Sequence, residues 1–182
     1  MKKNISLLSI LLCLIMLASC GAQPGTGNEP SASDWMTVTV KDDLDREVTI
    51  DKKPERVVVL MASFAETWLL AGGEIAAAPK DAWEDFDLSL PESVVDLGSY
   101  MKISAEAVFE LEPDLIIASS NTKSQVEMKD TFDSANVNVL YFDVNGFEDY
   151  LGMLKTCTDI TGRTDLYETN GLKILEQVEA AK

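Results

Sequence analysis

Small polar, aromatic and thioether side chains follow the apolar runs of this sequence at the points where the runs end. Hydroxyl, amide and carboxylate groups can fix the orientation of a small molecule, and aromatic rings supply contact area. This combination is typical of a binding cleft. We therefore predict that the following residues contact a ligand: Ser63, Phe64, Trp83, Tyr100, Met101, Ser119, Ser120, Asn121 and Asp143.

Some of these residues also have a purely structural explanation. Ser63 and Glu66 have the spacing of a capping box at the start of a helix. Asn121 is equally suited to the N-cap position of a helix. Trp83 lies in a stretch without regular periodicity and is a better ligand candidate than Trp68, which has core spacing on a predicted helix. Both explanations stay open for Ser63 and Asn121.

The sequence lacks the motifs of the common enzyme classes. It has no histidine, which excludes a Ser-His-Asp triad, a Cys-His pair and an H-E-x-x-H zinc motif. It contains neither a G-x-G-x-x-G nor a G-x-x-x-x-G-K-[ST] pattern, so a nucleotide phosphate cradle has no support. We predict a binding protein that is not an enzyme and that has no metal centre and no cofactor of its own.

Apolar periodicity divides the chain into alternating strands and helices. A polar turn between two alternating runs predicts a β-hairpin over residues 37–50. Further strands are predicted at 56–61, 75–78, 94–97, 114–118 and 137–142. Helices are predicted at 64–71, 104–111, 121–135, 146–161 and 164–182.

This alternation predicts an α/β fold. Three of the strands are continuous apolar runs, which are typical of a mainly parallel sheet covered by helices on both faces. The hairpin is expected at an edge of that sheet. Because ligands of such sheets bind at the carboxyl ends of the strands, the polar residues that follow the strands should lie near one another.

The first residues carry export signals. Lys2 and Lys3 precede an apolar run over 5–17 that is too short to span a bilayer comfortably, which indicates a signal peptide over 1–19. The sequence LASC at 17–20 resembles the lipobox of bacterial lipoproteins, which implies lipidation of Cys20. The alternative is an ordinary signal peptide that contains a cysteine. Residues 20–34 are rich in Gly, Pro and Ser and are predicted to form a flexible tether.

From these features we predict that the chain is held by lipid on the extracytoplasmic face of the cell membrane. Cys157 has no disulfide partner in the mature chain and is predicted to be a buried helical residue. The formal net charge of −16 argues against nucleic acid as a partner, because an acidic surface repels phosphate backbones. That charge favours either simple solubility or attraction to a basic partner or a cationic ligand.

Three stretches carry a resemblance to a known family: TVTVKDDLDREVTI, PERVVVLMASFAETWLLAGG and ISAEAVFELEPDLIIASS. Together they resemble the cobalamin and iron-siderophore class of substrate-binding lipoproteins that supply ABC importers. The resemblance implies two α/β lobes joined by one long helix, with ligand held between the lobes. On that basis residues 35–163 are the amino-terminal lobe and 164–182 begin the linking helix, and the second lobe is absent.

The resemblance also implies partners. The permease dimer of an ABC importer is expected to receive Glu106, which occupies the family's docking position just upstream of the Leu-x-Pro-Asp motif. A carboxylate in the first turn of a helix is favoured by the helix dipole in any case, so a structural role is the alternative. The implied ligand is a ferric siderophore or a corrinoid.

The candidate site residues do not determine the identity of the ligand. The candidate loops offer only Lys80, Lys102 and Lys123 to an anionic siderophore, which favours a neutral or cationic ligand or basic groups elsewhere. Haem ranks lower, with Met101 as the candidate axial group. Two rival interpretations are a stand-alone flavodoxin-like enzyme or regulatory domain and a structural surface lipoprotein that binds no small molecule.

Overall fold

A computed structural model describes residues 37–181 of the chain. The predicted signal peptide, the tether and Cys20 lie outside the described residues. The first element is a separate antiparallel hairpin, β1 Val38–Lys41 and β2 Glu47–Ile50, with Val38 opposite Ile50 and Lys41 opposite Glu47. The hairpin prediction is confirmed.

The remaining strands form one parallel sheet in the order β5-β4-β3-β6-β7. The strands are β3 Val57–Val59, β4 Ala77–Ala78, β5 Val95–Asp96, β6 Leu115–Ser119 and β7 Asn138–Phe142. The chain leaves β3 toward β4 and β5 on one side, then crosses back to β6 and β7 on the other. The boundary between β3 and β6 is therefore the topological switch point, where ligands bind in sheets of this kind.

Helices connect and cover the strands. They are α1 Ala62–Leu70, α2 Asp81–Glu84, α3 Ala105–Phe109, α4 Lys123–Glu127, α5 Lys129–Ser134, α6 Phe147–Thr161, α7 Thr164–Tyr167 and α8 Lys173–Ala180, with a π-helical turn over Glu168–Leu172. None of the helices in the described part of the chain is long and apolar enough to span a bilayer.

Alternate residues of β3, β4, β6 and β7 pack into two cores on opposite faces of the sheet, whereas both residues of the edge strand β5 are exposed. On one face Val57, Leu115 and Leu140 pack with residues of α1 and α6, which include the fully buried Cys157. On the other face Val58, Ile116 and Val139 pack with Ala105 and Val108 of α3 and Phe132 of α5. Because both faces are buried, the strands are continuously apolar, and the predicted α/β class with helices on both faces is confirmed.

The start of α1 differs from the prediction. The N-cap position belongs to Met61, and no side chain caps the helix, so Ser63 and Glu66 do not form the expected capping box. The helix ends as expected at the two glycines: Gly72 has φ +80° and its N–H donates to Leu69 O, while Gly73 N–H donates to Trp68 O. This is the Schellman arrangement, which glycine favours because its φ is positive.

Two further stretches are divided differently from the prediction. The polar helix expected over 121–135 is two short helices, α4 and α5, and α4 has Thr122 rather than Asn121 at its N-cap position. Trp83 lies in the one-turn helix α2 rather than in irregular chain. The last predicted helix is confirmed as helical, but it contains the π turn, and no residue of α8 is buried.

Candidate functional site

The carboxyl edge of the sheet brings part of the predicted site into one cleft. Tyr100 and Met101 come from the loop after β5, and Asn121 comes from the loop after β6. They line a cavity of about 470 Å³, completed by Thr122, Lys123, Ser124 and Glu127. Met101 is 59% exposed, so its thioether is accessible to a ligand in this cleft.

Asn121 links this cleft to the end of the neighbouring strand. Its side-chain amide donates to the carboxylate of Asp143, the residue after β7. The amide of Asn145 donates to the same oxygen, and the backbone N–H of Asp143 donates to Asp43 Oδ2 at 2.6 Å. Asp143 is thus held in a polar cluster beside the cleft, with Asn121 between it and the cavity.

The two serines at the end of β6 are more deeply buried in the fold than the loop that carries Asn121. Ser119 is only 5% exposed, and its hydroxyl accepts the backbone N–H of Asn121 at 3.2 Å. Ser120 is half-buried, and its N–H donates to Phe142 O at 3.0 Å. The structure therefore places Ser119 beneath the loop that carries Asn121, where it supports the loop.

The residues at the start of α1 are not brought into the cleft. Phe64 is 5% exposed and packs edge-on against Phe142 in the core, with their ring centroids 6.2 Å apart. Ser63 is half-buried within the first turn of α1, where its carbonyl accepts the Thr67 hydroxyl. Met61, just before the helix, does reach the site: its sulfur lies 3.8 Å from the hydroxyl oxygen of Thr122.

Trp83 lines a second cavity. This cavity of about 430 Å³ also contains Lys80, Glu84, Leu90, Pro91 and Val94. The Lys80 ammonium lies 2.5 Å from Glu84, and this hydrogen-bonded pairing raises the pKa of Lys80. The cavity shares no lining residue with the cleft of Tyr100, Met101 and Asn121.

A larger cavity than these two lies at the opposite edge of the sheet. It measures about 690 Å³ and adjoins the starts of β6 and β7 and strand β2. Two of its carboxylates are already engaged: Asp114 accepts the backbone N–H groups of Glu55 and Arg56, and Asp133 pairs with Arg46. The carboxyl edge is the better candidate, because parallel strands present their ligand-binding loops there.

Several site residues have no signal in the sequence. Met61 and Thr122 were not predicted to contact a ligand, because each lies one residue outside a polar run at the end of a strand. Gln125 is fully buried and joins the ends of β3 and β6 through its side chain. In the sequence, a buried glutamine of a polar helix looks the same as a glutamine that is exposed to solvent.

Within residues 37–181 no group of three or more Asp, Glu or Cys is arranged to hold a metal ion.

Glu106 lies apart from the cleft, in the first turn of α3. Its side chain is exposed, and the helix begins with Ser104, whose hydroxyl accepts the N–H of Ala107 at 3.3 Å. Within residues 37–181 Glu106 takes part in no ion pair. Its carboxylate is free to meet an outside cation.

Comparison with known proteins identifies the family. The family model described as periplasmic binding protein matches residues 57–182. The chain belongs to the periplasmic binding protein family. Members of this family are substrate-binding proteins of ABC transporters, which confirms the prediction that the chain is not an enzyme.

The chain is similar to named members of the family. It is 30% identical over 131 residues to the probable siderophore-binding lipoprotein YfiY of Bacillus subtilis, covering 69% of this chain and 40% of that protein. It is 27% identical over 142 residues to a cobalamin-binding protein of Halobacterium salinarum, covering 75% and 38%. The solved petrobactin-binding protein YclQ of Bacillus subtilis aligns with a TM-score of 0.67 at 25% identity, covering 81% and 53%. The chain thus spans about 40% of the length of the curated relatives it matches.

Proposed function

We propose that this chain is part of the substrate-binding component of an ABC importer and that it captures a ferric siderophore or a corrinoid. The observation that carries the proposal is the cleft of Tyr100, Met101 and Asn121 at the carboxyl edge of a sheet that matches this family. Relatives named for siderophore and cobalamin binding support the ligand class. In this proposal the described residues form the amino-terminal lobe, and the helix from Thr164 leads toward a second lobe.

The charged side chains of the cleft indicate which ligand charge it favours. Among the described residues that line it, Lys123 is the one basic side chain; it is 89% exposed and lies 3.6 Å from the carboxylate of Glu127. A strongly anionic ferric complex would be bound better by several paired cations. The cleft by itself therefore favours a neutral or cationic complex, or an anionic one that meets basic groups outside residues 37–181. Haem is the second candidate, favoured by the exposed thioether of Met101.

The proposed site of action rests on the lipobox-like sequence and on one exposed carboxylate. In this proposal Cys20 carries lipid and holds the protein on the extracytoplasmic face of the membrane, and residues 20–34 give it reach. The permease dimer then receives the loaded protein through contacts that include Glu106. Support comes from the lipobox-like sequence, from relatives named as lipoproteins and from the Glu106 carboxylate, which is exposed and has no ion-pair partner among residues 37–181.

Ligand titration of the full-length receptor, with both proposed lobes present, tests the proposal. Tryptophan fluorescence and calorimetry should be recorded with a ferric hydroxamate, a ferric catecholate, ferric citrate, cobalamin and haemin, and with FMN as the probe for a flavodoxin-like protein. We expect saturable binding of one ferric complex or of cobalamin and none of FMN. Binding of FMN alone, or of no probe at all, would contradict the proposal.

A further inference from the structure

The hydrogen-bond ladder between β3 and β6 is interrupted at the switch point. The strands pair in register from Val57 opposite Leu115 to Val59 opposite Ile117, and Leu60 N–H then donates to Ile117 O at 2.9 Å. In a regular parallel ladder the next bond would run from Ser119 N–H to Leu60 O. That bond is replaced by a side chain.

The side-chain amide of Gln125 lies between the two strand ends. Its Oε1 accepts Ser119 N–H at 2.8 Å, and its Nε2 donates to Leu60 O at 2.9 Å. Both backbone groups and both halves of the amide are thereby satisfied in a position where Gln125 is fully buried. The strand ends are held apart by the width of one amide group.

The backbone pairing of β6 is interrupted only on the side that faces β3. Its other side stays paired with β7 as far as Ser119 opposite Phe142, and Ser120 N–H continues the pairing by donating to Phe142 O. The gap therefore lies at the boundary between β3 and β6, and the loops that follow it carry Met61 on one side and Asn121 on the other.

We infer that Gln125 is a positioning residue for the ligand cleft, which it keeps open by separating the ends of β3 and β6. The inference rests on the proposed function, because it assigns Gln125 to the binding site that this function needs. Glutamine suits the role because one side chain must both accept from Ser119 and donate to Leu60. An ionised glutamate could only accept, and an aliphatic residue could do neither.

Neighbouring contacts hold the amide in place. The hydroxyl of Tyr141 donates to the backbone carbonyl of Gln125 at 3.2 Å, which ties α4 to β7. The Thr122 hydroxyl approaches the Met61 sulfur across the gap, so the loops after β3 and β6 meet again above the amide. The position of the two loops therefore depends on the separation of the strand ends.

Two substitutions in the full chain test the inference. Gln125→Ala removes the amide, and in its crystal structure we expect Ser119 N–H to bond directly to Leu60 O at about 2.9 Å. We expect its affinity for the ferric complex or cobalamin bound by the wild type to fall at least about tenfold. Gln125→Glu keeps the length and the acceptor, so the strand ends should stay apart and more of the affinity should remain.

The comparison separates positioning from general stability. Gln125→Glu buries a carboxylate and should lower the melting temperature at least as much as Gln125→Ala does, while binding better. If affinity instead follows the melting temperature in these two variants, the inference is wrong. Phe132→Leu, in the core of the same sheet face, is the control that loses stability and should keep wild-type affinity.

The separation of the strand ends can be measured independently of ligand binding. If the wild type binds none of the probes, the proposed function fails. The crystal structures of the two variants still decide the role of Gln125. Strand ends that stay apart in Gln125→Ala, at the wild-type separation of Ser119 N and Leu60 O, would overturn it.

Discussion

Asp42 and Arg46 form a largely buried ion pair that fastens the hairpin to the sheet. Arg46 Nη2 lies 2.6 Å and Nε 3.0 Å from Asp42 Oδ2, and the guanidinium lies 4.8 Å from the centre of the Tyr141 ring. Nη2 also donates to Val139 O at 2.8 Å. The hairpin turn thereby covers the free edge of β7, where Asp43 N–H donates to Tyr141 O. Since Asp43 also accepts from Asp143, the hairpin helps to place a residue of the candidate site.

Asp42→Ala should destabilise the fold strongly. The Asp42 side chain is fully buried and Arg46 is 20% exposed, and removal of one partner of such a pair costs about 3 kcal/mol. The backbone N–H groups of Leu44 and Arg46 also lose their acceptor. We expect the free energy of unfolding, measured in urea, to fall by that amount. Asp45→Asn, which breaks the exposed Lys41–Asp45 pair, is the control and should leave the midpoint unchanged.

Tyr141 should make stability depend on pH under alkaline conditions. Burial raises the pKa of its hydroxyl from 10.0 to about 12, so the unfolded chain ionises this group before the folded one does. The contribution is fully present below pH 10, and as the pH rises toward 12 it is lost at no more than about 1.4 kcal/mol per pH unit. Tyr141→Phe should flatten this loss in urea titrations recorded between those values. An identical slope in the two proteins would contradict the assignment.

The sequence predicts the sheet well because burial on both faces leaves a simple mark. Runs such as Leu115–Ala118 are apolar at every position, which only a doubly covered strand requires. Gly72 likewise marks the end of α1 because its positive φ favours glycine. The fold class and most elements follow from signals of this kind, whereas the family is predicted from the resemblance of three sequence stretches.

The candidate site is less predictable because its geometry depends on contacts between distant residues. Asn121 and Ser119 are two residues apart in sequence, yet Asn121 faces the cleft and Ser119 lies beneath it, only 5% exposed. Phe64 follows a strand like the other candidates, but a helix that begins at Ala62 turns its ring into the core. Gln125 bonds to Leu60, which is far away in the chain, and no local pattern indicates such a pair.

Cys20 should be the point of lipid attachment. In a bacterial host that processes lipoproteins, metabolic labelling with a fatty acid should mark the wild type, and Cys20→Ala should lose both the label and the membrane fraction. Cys157→Ala is the matched control. Cys157 is fully buried, and burial raises the pKa of its thiol, so it is unreactive in the folded protein. Equal labelling of the Cys20 variant would show that the predicted lipobox is an ordinary signal sequence.

Glu106→Lys should impair transport while ligand binding is retained. The carboxylate is exposed and unpaired within residues 37–181, and its proposed partner is an arginine of the permease, so charge reversal replaces attraction by repulsion. Uptake in cells that depend on this importer should fall at least about tenfold. Glu110→Lys is the control, since Glu110 is equally exposed next to the same helix. Normal uptake by the Glu106 variant would contradict a docking role and would leave Glu106 only a structural role at the start of α3.

Substitutions in the two cavities should decide which of them binds the ligand. The cleft of Tyr100, Met101 and Asn121 adjoins the switch point, whereas the cavity of Trp83 lies beside β4 and β5, away from it. We expect a ligand at the switch point to touch Tyr100 and Met101, because both line the cleft and Met101 is exposed there while Tyr100 is half-buried. Tyr100→Ala and Met101→Ala should therefore each weaken binding of the ferric complex or cobalamin by about tenfold, the loss expected for one buried anchor contact. Trp83→Leu should change the affinity little. The reverse order of effects in calorimetry would move the site to the cavity of Trp83.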